Sequence, residues 1–242
     1  MYINRTNSTN TLLTELIAEG RWPADERYLR AGYQIAGRGQ TGNRWESEEG
    51  KNLLCSILLP PRTNLFELNV VAAVAVLRTI GEDFTIKWPN DIYWGDKKVA
   101  GILMENAIIG NELKYSIAGI GLNVNQTEWM SGAPNPVSLK QITGRDYDLD
   151  EMMAQLMREI DRALAEDVWD YYKAHLYRRE GLWPFVEREV STAPTMNADS
   201  QEPIANSFMA CIQDVLPTGE IILRDENNQQ RIYHFKQIRY VL

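Results

Sequence analysis

Three glycines fall within six residues at Gly37-Arg38-Gly39-Gln40-Thr41-Gly42, a density that neither a helix nor a paired strand accommodates well. The flanks are strand-like, Tyr28 to Ala36 before and Leu53 to Leu59 after. The segment therefore reads as an open, arginine-bearing loop between two strands. Its spacing matches the G-x-G-x-x-G pattern of dinucleotide-binding folds, which needs a helix to open at the third glycine so that a pyrophosphate can sit on its amino terminus. Here the loop continues through Asn43-Arg44-Trp45-Glu46-Ser47-Glu48-Glu49-Gly50 into a strand, with no apolar helical stripe. That context decides against a Rossmann domain. On its residues alone the loop is either a long surface connection or a segment that covers a ligand.

The remaining patterns alternate between helix and strand. Ser8, Thr9 and Asn10 precede Leu12, Leu13, Leu16 and Ile17, with Gly20 beyond, which predicts a capped helix of three turns. Asn64 and Glu67 have capping-box spacing ahead of an apolar stripe that Gly81 ends. Phe84, Ile86 and Trp88 alternate with Thr85 and Lys87, so a short strand should bury the first three and turn Lys87 the other way before Pro89 stops it. Runs at Val99 to Asn106 and Leu113 to Val124 flank the turn signal Gly110-Asn111 and predict a hairpin. Ser131 to Pro136 reads as surface loop. A long helix is expected from about Asp150 to His175, with Met153, Leu156, Ile160, Ala163 and Leu164 on one stripe. After Gly181, short apolar runs near Phe208 to Val215, Glu220 to Leu223, Arg231 to Phe235 and Ile238 to Val241 alternate with turns and suggest a small β-barrel. The expected architecture is α/β of the α+β kind: a mixed sheet with helices over residues 1–181, and a small β domain over 182–242.

With 242 residues, 44% of them hydrophobic, the chain can bury a full core. A net charge of -8 and the lack of a basic tract argue against nucleic-acid binding. Cys55 and Cys211 sit in apolar runs and read as free buried thiols, neither disulfide nor metal ligands, which fits a reducing cytoplasm. No leader pattern and no apolar run of roughly 18 residues is present, so a soluble cytoplasmic protein without a membrane partner is expected.

Two further segments carry chemistry. Lys87 of Lys87-Trp88-Pro89-Asn90-Asp91 is either a solvated strand residue beside a turn or a fixed charge at a strand rim. The glycines of Gly119-Ile120-Gly121-Leu122-Asn123 lie inside a strand, where they allow close approach of another body, whether internal packing or a ligand's ring.

Taken together, Ser8-Thr9-Asn10, Gly37 to Trp45, Lys87 to Asp91, Lys98-Val99-Ala100-Gly101-Ile102-Leu103-Met104-Glu105 and Gly119 to Asn123 resemble the ordered signature blocks of the biotin protein ligases. The carboxy-terminal part is similar in kind to that family's SH3-like domain. The resemblance implies a class II synthetase or biotin/lipoate ligase type of fold. It implies a monofunctional enzyme without a preceding DNA-binding domain, since the first block starts within ten residues of Met1. It also implies Mg-ATP as cosubstrate (ATP with Mg2+), biotin as substrate, biotinyl adenylate as intermediate and a lysine of a carboxylase's biotin carboxyl carrier domain as acceptor. Dimerisation is left open by a single chain.

Matched block by block, Ser8, Thr9 and Gln34 would meet the ureido end of biotin, and Ser8 and Thr9 read equally as helix-capping residues. Arg38 and the Gly37 backbone would meet the carboxylate and phosphate, and Lys87 would bridge carboxylate and α-phosphate. Gly119 and Gly121 would admit the ring system, Lys98 would lie near the phosphates and Asn123 would face the adenine. Gln40, Trp45 and Asn90 complete the adenylate side, with Trp45 and Trp88 as walls. Many family members carry arginine at the position of Gln40 and a second basic residue where Asn43 stands, which would loosen retention of the adenylate unless Arg44 substitutes. Residues 37–46 are expected to act as a mobile lid. Lipoate or octanoate ligases of the same superfamily, and a non-catalytic biotin-binding module, are the alternatives.

Overall fold

The computed structural model describes residues 1–40, 43–62, 64–110, 112–130, 135–188 and 207–241. In chain order its elements are β1 (Tyr2–Thr6), α1 (Thr9–Ala18), β2 (Tyr28–Gln34), β3 (Leu53–Leu59), α2 (Leu65–Ile80), β4 (Thr85–Lys87), β5 (Asp91–Trp94), β6 (Lys97–Ile109) and β7 (Glu112–Leu122). There follow α3 (Leu139–Thr143), α4 (Leu149–Ala165), α5 (Trp169–Ala174), β8 (Trp183–Glu187), β9 (Ser207–Val215), β10 (Ile221–Asp225), β11 (Gln230–Tyr233) and β12 (Ile238–Tyr240).

The first seven strands form one sheet in the order β1-β2-β3-β7-β6-β5-β4. It is mixed: β1 runs parallel to β2, and the other described pairs are antiparallel. Strand β3 lies near its middle with both faces covered, which is why its sequence runs Leu-Leu-Cys-Ser-Ile-Leu-Leu without polar alternation. Leu53, Cys55, Ile57 and Leu59 join the main core, where α2 contributes an unbroken buried run from Val70 to Leu77. On the opposite face Leu58 packs with Leu13 of α1, Leu29 and Ile117. The α4 stripe is buried at Met153, Leu156, Ile160 and Ala163, as the 3.6-residue period requires.

Several local expectations hold, and several elements escaped the pattern. Phe84, Ile86 and Trp88 are buried. The β6–β7 hairpin forms, although Asn111 of its turn lies outside the described residues, as do Ser131 to Pro134 of the expected loop. Asn64 caps α2 by accepting from Phe66 N at 3.0 Å. The single helix expected from 150 to 175 is two: Glu166 is extended (φ -110, ψ 159), and the Asp167 carboxylate accepts from Trp169 N at 3.1 Å. A short acidic side chain that bonds a nearby backbone N–H offers the chain an alternative to continuing the helix. Strands β1, β5 and β8 and helix α3 are additions to the sequence-based reading.

The last five strands form an antiparallel sheet in the order β11-β10-β9-β8-β12. Among the described residues the edges β11 and β12 are not paired with each other, so a closed barrel is not part of this pairing. Its core is continuous with that of the larger sheet: Phe185, Ile212, Leu223 and Tyr240 belong to the same apolar cluster as Leu68, Ile86 and Tyr172. Polar ties reinforce the junction. Trp88 Nε1 donates to Gly219 O at 3.1 Å, and Asn64 Nδ2 donates to Pro217 O at 2.7 Å. Among the described residues no helix is long and apolar enough to cross a membrane.

Candidate active site

A cleft of about 250 Å³ opens over the middle of the larger sheet and is walled on one side by the smaller one. Eleven of the thirteen residues singled out from the sequence line it: Ser8, Thr9, Gln34, Arg38, Gln40, Trp45, Lys87, Asn90, Lys98, Gly119 and Gly121. Segments up to 113 residues apart in sequence therefore converge on one cavity. Gly37 and Asn123 are not on its wall. Gly37 sits at the base of the loop, where its carbonyl accepts from Trp45 N at 3.0 Å. Asn123 is buried beneath, donating from Nδ2 to Val137 O at 3.1 Å and Lys98 O at 3.4 Å, so it braces the strand ends that carry the site.

The glycine loop folds back on itself. Gly39 N donates to Asn43 O at 2.9 Å and Asn43 N to Gln40 O at 2.8 Å, and Arg38 pairs across the turn with Arg44. Thr41 and Gly42 lie outside the described residues, and with them the tip of the expected lid. The pairing puts Arg44 on the cleft wall beside Arg38, which supplies a second cation despite Gln40 and Asn43. The Trp45 indole then lies on the floor: a Cβ built on Gly121 would come within 2.7 Å of its Nε1. Gly119 is covered in the same way by the Asn10 side chain, which a Cβ would meet at 2.8 Å. Both glycines are thus positions of close approach, as their place inside β7 suggested.

A chain of polar groups, buried at Thr9, Asn10 and Ser56, runs beneath the cleft. Gln34 Oε1 accepts from Thr9 N at 2.7 Å and from Thr9 Oγ1 at 3.1 Å. Ser56 Oγ lies 2.7 Å from Thr9 Oγ1 and also contacts Asn10 Oδ1. Asn10 Nδ2 donates to Glu105 Oε2 at 2.8 Å, and Arg38 Nη2 closes the chain on the same carboxylate at 3.1 Å. Ser8 is the amino-terminal cap residue of α1, but its hydroxyl makes no capping hydrogen bond. Ser56, Asn10 and Glu105 were not singled out as site residues; the lone hydroxyl inside the apolar run of β3 was the available signal for Ser56.

The far end of the cleft holds the lysines. The turn Lys87-Trp88-Pro89-Asn90-Asp91 links β4 to β5, with a cis Trp88–Pro89 peptide and Lys87 opposite Asp91 in the ladder. Asn90 pins it by donating from Nδ2 to Ile102 O. Asp91 Oδ1 is 2.7 Å from Lys98 Nζ, a pair that leaves Lys87 with Tyr93 Oη as its hydrogen-bond partner at 3.1 Å. Burial draws the Lys87 ammonium down to about 8; Asp91 opposes the shift, while Lys98 and Arg178 add to it. Cys55, also on the wall, is pushed by burial up to about 12 and is an inert thiol.

The smaller sheet contributes what the sequence did not reveal. Arg188, Phe235, Lys236, Ile238, Arg239 and Tyr240 line the cleft. Among the described residues seven of the lining side chains are cationic, Arg38, Arg44, Lys87, Lys98, Arg188, Lys236 and Arg239, against the single carboxylate of Asp91. In a chain of net charge -8 such a concentration marks a site for a polyanion. Among the described residues no three His, Cys, Asp or Glu side chains converge as a metal site.

The chain is similar in sequence and in fold to known proteins. Over 197 residues the chain is 31% identical to the bifunctional ligase/repressor BirA of Escherichia coli K12, covering 75% of this chain and 55% of that one. It is 33% identical over 162 residues to a biotin–[acetyl-CoA-carboxylase] ligase of Paracoccus denitrificans, covering 62% and 66% respectively. The chain thus spans about half the length of BirA. In fold it matches a biotin protein ligase from Aquifex aeolicus in complex with biotin and ATP, with a TM-score of 0.76 at 24% identity over 100% of this chain and 98% of that one. The sequence model of the biotin/lipoate A/B protein ligases matches residues 2–123, half of the chain and the part that carries the glycine loop, both lysines and the β7 glycines. The chain belongs to the biotin/lipoate A/B protein ligase family.

Proposed function

We propose that the chain is a biotin protein ligase that converts biotin and ATP to biotinyl adenylate and pyrophosphate. It then transfers biotin to a lysine of a biotin carboxyl carrier domain. The observation that carries this reading is the polycationic cleft with a glycine floor, of which the glycines and four of the cations, Arg38, Arg44, Lys87 and Lys98, lie within the residues that the family model matches. The likeness to the biotin–[acetyl-CoA-carboxylase] ligase of Paracoccus denitrificans supports it.

Adenylation brings a carboxylate against a phosphorus surrounded by anionic oxygens. At ~4 Å two like unit charges repel by about 4 kcal/mol at an effective dielectric of 20, and fixed cations reverse the sign. Arg38 offers a planar fork to carboxylate and phosphate oxygens, Lys87 a point charge held at a strand end. In this reading Ser8, Thr9 and Gln34 take the ureido group at one end, and Gly119 and Gly121 admit the ring. Lys98, steered by Asp91, stands by the phosphates, with Gln40, Arg44, Trp45 and Asn90 around the nucleotide. Asn123 holds the adenine side through the strand it braces. Arg188, Lys236 and Arg239 face the departing pyrophosphate. Magnesium enters as the counter-ion of the nucleotide's phosphates, and no protein ligand is assigned to it. The protein's part in this step is orientation and electrostatic stabilisation. Residues 1–181 would supply the chemistry and 182–242 the outer wall.

Biotin-dependent exchange of labelled pyrophosphate into ATP, with lipoate in parallel, tests the reading without the acceptor. Exchange with biotin alone is expected. Exchange with lipoate alone would move the chain to the sister activity, and silence with both would leave a binding module.

A further inference from the structure

Lys87 carries its charge in a compartment built by both sheets. Its Nζ lies 4.8 Å from the centre of the Tyr93 ring on β5 and 5.1 Å from that of Tyr240 on β12. Tyr177 stands between the two rings, 5.3 Å from Tyr93 and 5.8 Å from Tyr240 between centroids, so the three tyrosines make a continuous wall. Arg178 fastens the β12 end: Nη1 donates to Val241 O at 2.5 Å, and Nη2 lies 3.6 Å from Asp96. Among the described residues no carboxylate makes an ion pair with Lys87, because Asp91 is taken by Lys98.

We propose that Tyr240 is a positioning residue for Lys87: its ring, with that of Tyr93, clasps the ammonium at the cleft, so that the second sheet completes the reacting centre. The inference rests on reading the cleft as an adenylating site. A lysine side chain is a compact charge on a flexible stem, and without a clasp Lys87 can swing toward Asp91. Ring faces attract the ammonium without neutralising it, which leaves its charge for an incoming anion. The Tyr240 hydroxyl is buried and makes no hydrogen bond among the described residues, so the ring is the working part. The groups facing the ammonium are Tyr93 and Asp91 from β5, Lys98 from β6, Arg178 after α5, and Tyr240, with Tyr177 touching both rings.

The test measures biotin-dependent pyrophosphate exchange in Tyr240→Leu and Tyr240→Phe. Leucine fills the space without a ring face; its kcat is expected to fall about tenfold while KM for biotin moves less than about twofold. Phenylalanine is expected to rescue the rate to within about threefold of the parent. An unchanged kcat in the leucine variant, or an equal loss with phenylalanine, overturns the proposal. A second readout does not depend on the reaction: burial draws the Lys87 ammonium down to about 8, and the Lys87 13Cε resonance of the ligand-free protein follows its titration. In Tyr240→Leu, which removes the ring face while keeping an apolar side chain against Nζ, the midpoint is expected to fall by roughly half a pH unit; an unchanged or raised midpoint overturns the clasp. Should the leucine variant not fold, Tyr240→Met takes its place in both measurements. A parent protein silent in biotin exchange would sink the adenylation reading, and the titration would still decide on the clasp.

Discussion

Arg38 Nη2 lies 3.0 and 3.1 Å from the two carboxylate oxygens of Glu105, so the arginine offered to an incoming anion already holds one. Both side chains are partly exposed, and such pairs contribute only about 0.2–1 kcal/mol. Substrate binding has to share or break this contact. Glu105→Gln keeps an acceptor for Asn10 and removes the competing charge; it is expected to tighten biotin or biotinyl-adenylate binding by about two- to fivefold. Titration calorimetry at low salt checks this, and weaker binding would mean that Glu105 aims Arg38 instead of restraining it.

Lys87→Ala removes the cation without disturbing the ureido end of the cleft. Pyrophosphate exchange is expected to fall by roughly 10²–10³-fold, with biotin affinity changed by less than about threefold. In the parent protein the proposed exchange rate should also decline above about pH 8, as the ammonium loses its proton. The sign for folding is the opposite. Between about 8 and 10.5 an unfolded Lys87 still binds a proton that the folded one has released, so the Lys87 contribution makes stability rise with pH across that window. Comparing urea midpoints of parent and Lys87→Ala through the window isolates this contribution.

Gly119 and Gly121 should respond differently to alanine although they are two residues apart. At Gly119 the new methyl strikes Asn10, which is fixed by Ser56 and Glu105, so overpacking is expected to cost about 1–3 kcal/mol and to lower Tm. At Gly121 it strikes the Trp45 ring, on the loop expected to act as a lid. Stability should change little there, while ligand affinity falls because the floor is raised. Thermal melts and biotin titrations on the two variants separate the cases; equal losses of Tm would show the loop to be as rigid as the core.

Ser56→Ala is a deletion of one oxygen with two dependants. Thr9 Oγ1 and Asn10 Oδ1 both lose a buried partner, and an unsatisfied buried polar group costs about 1–3 kcal/mol. A drop of that size in the urea unfolding free energy, together with weaker biotin binding, is expected. A neutral substitution would mean that the hydroxyl fills space and does not connect the network.

Much of this was legible in the sequence because it is local. The alternation of Phe84, Ile86 and Trp88, the cap at Asn64 and the glycine-rich hairpin all follow from neighbours within a few residues. The ordered blocks also brought eleven of thirteen site residues to one cavity. What escaped is set by distance. Tyr240 reaches Lys87 only because β12 packs against the β4–β5 turn, and no pattern within the last strand announces that. Asn123 looked like a ligand contact but is drawn under the strand by Val137 and Lys98, partners 14 and 25 residues away. The helix break at Asp167 was hidden because apolar periodicity alone cannot see one carboxylate capturing a backbone N–H.

The turn from Pro217 to Gly219 receives Asn64, the Trp88 indole and the Phe66 ring, and so joins the smaller sheet to the wall that carries Lys87. The aperture of the cleft is therefore a dimension of the assembled chain and not of either sheet. Warming that loosens this seam widens the aperture while both sheets keep their internal hydrogen bonds. Catalytic competence would then fade at a lower temperature than the circular-dichroism signal, much as a vice loses its grip before either jaw bends.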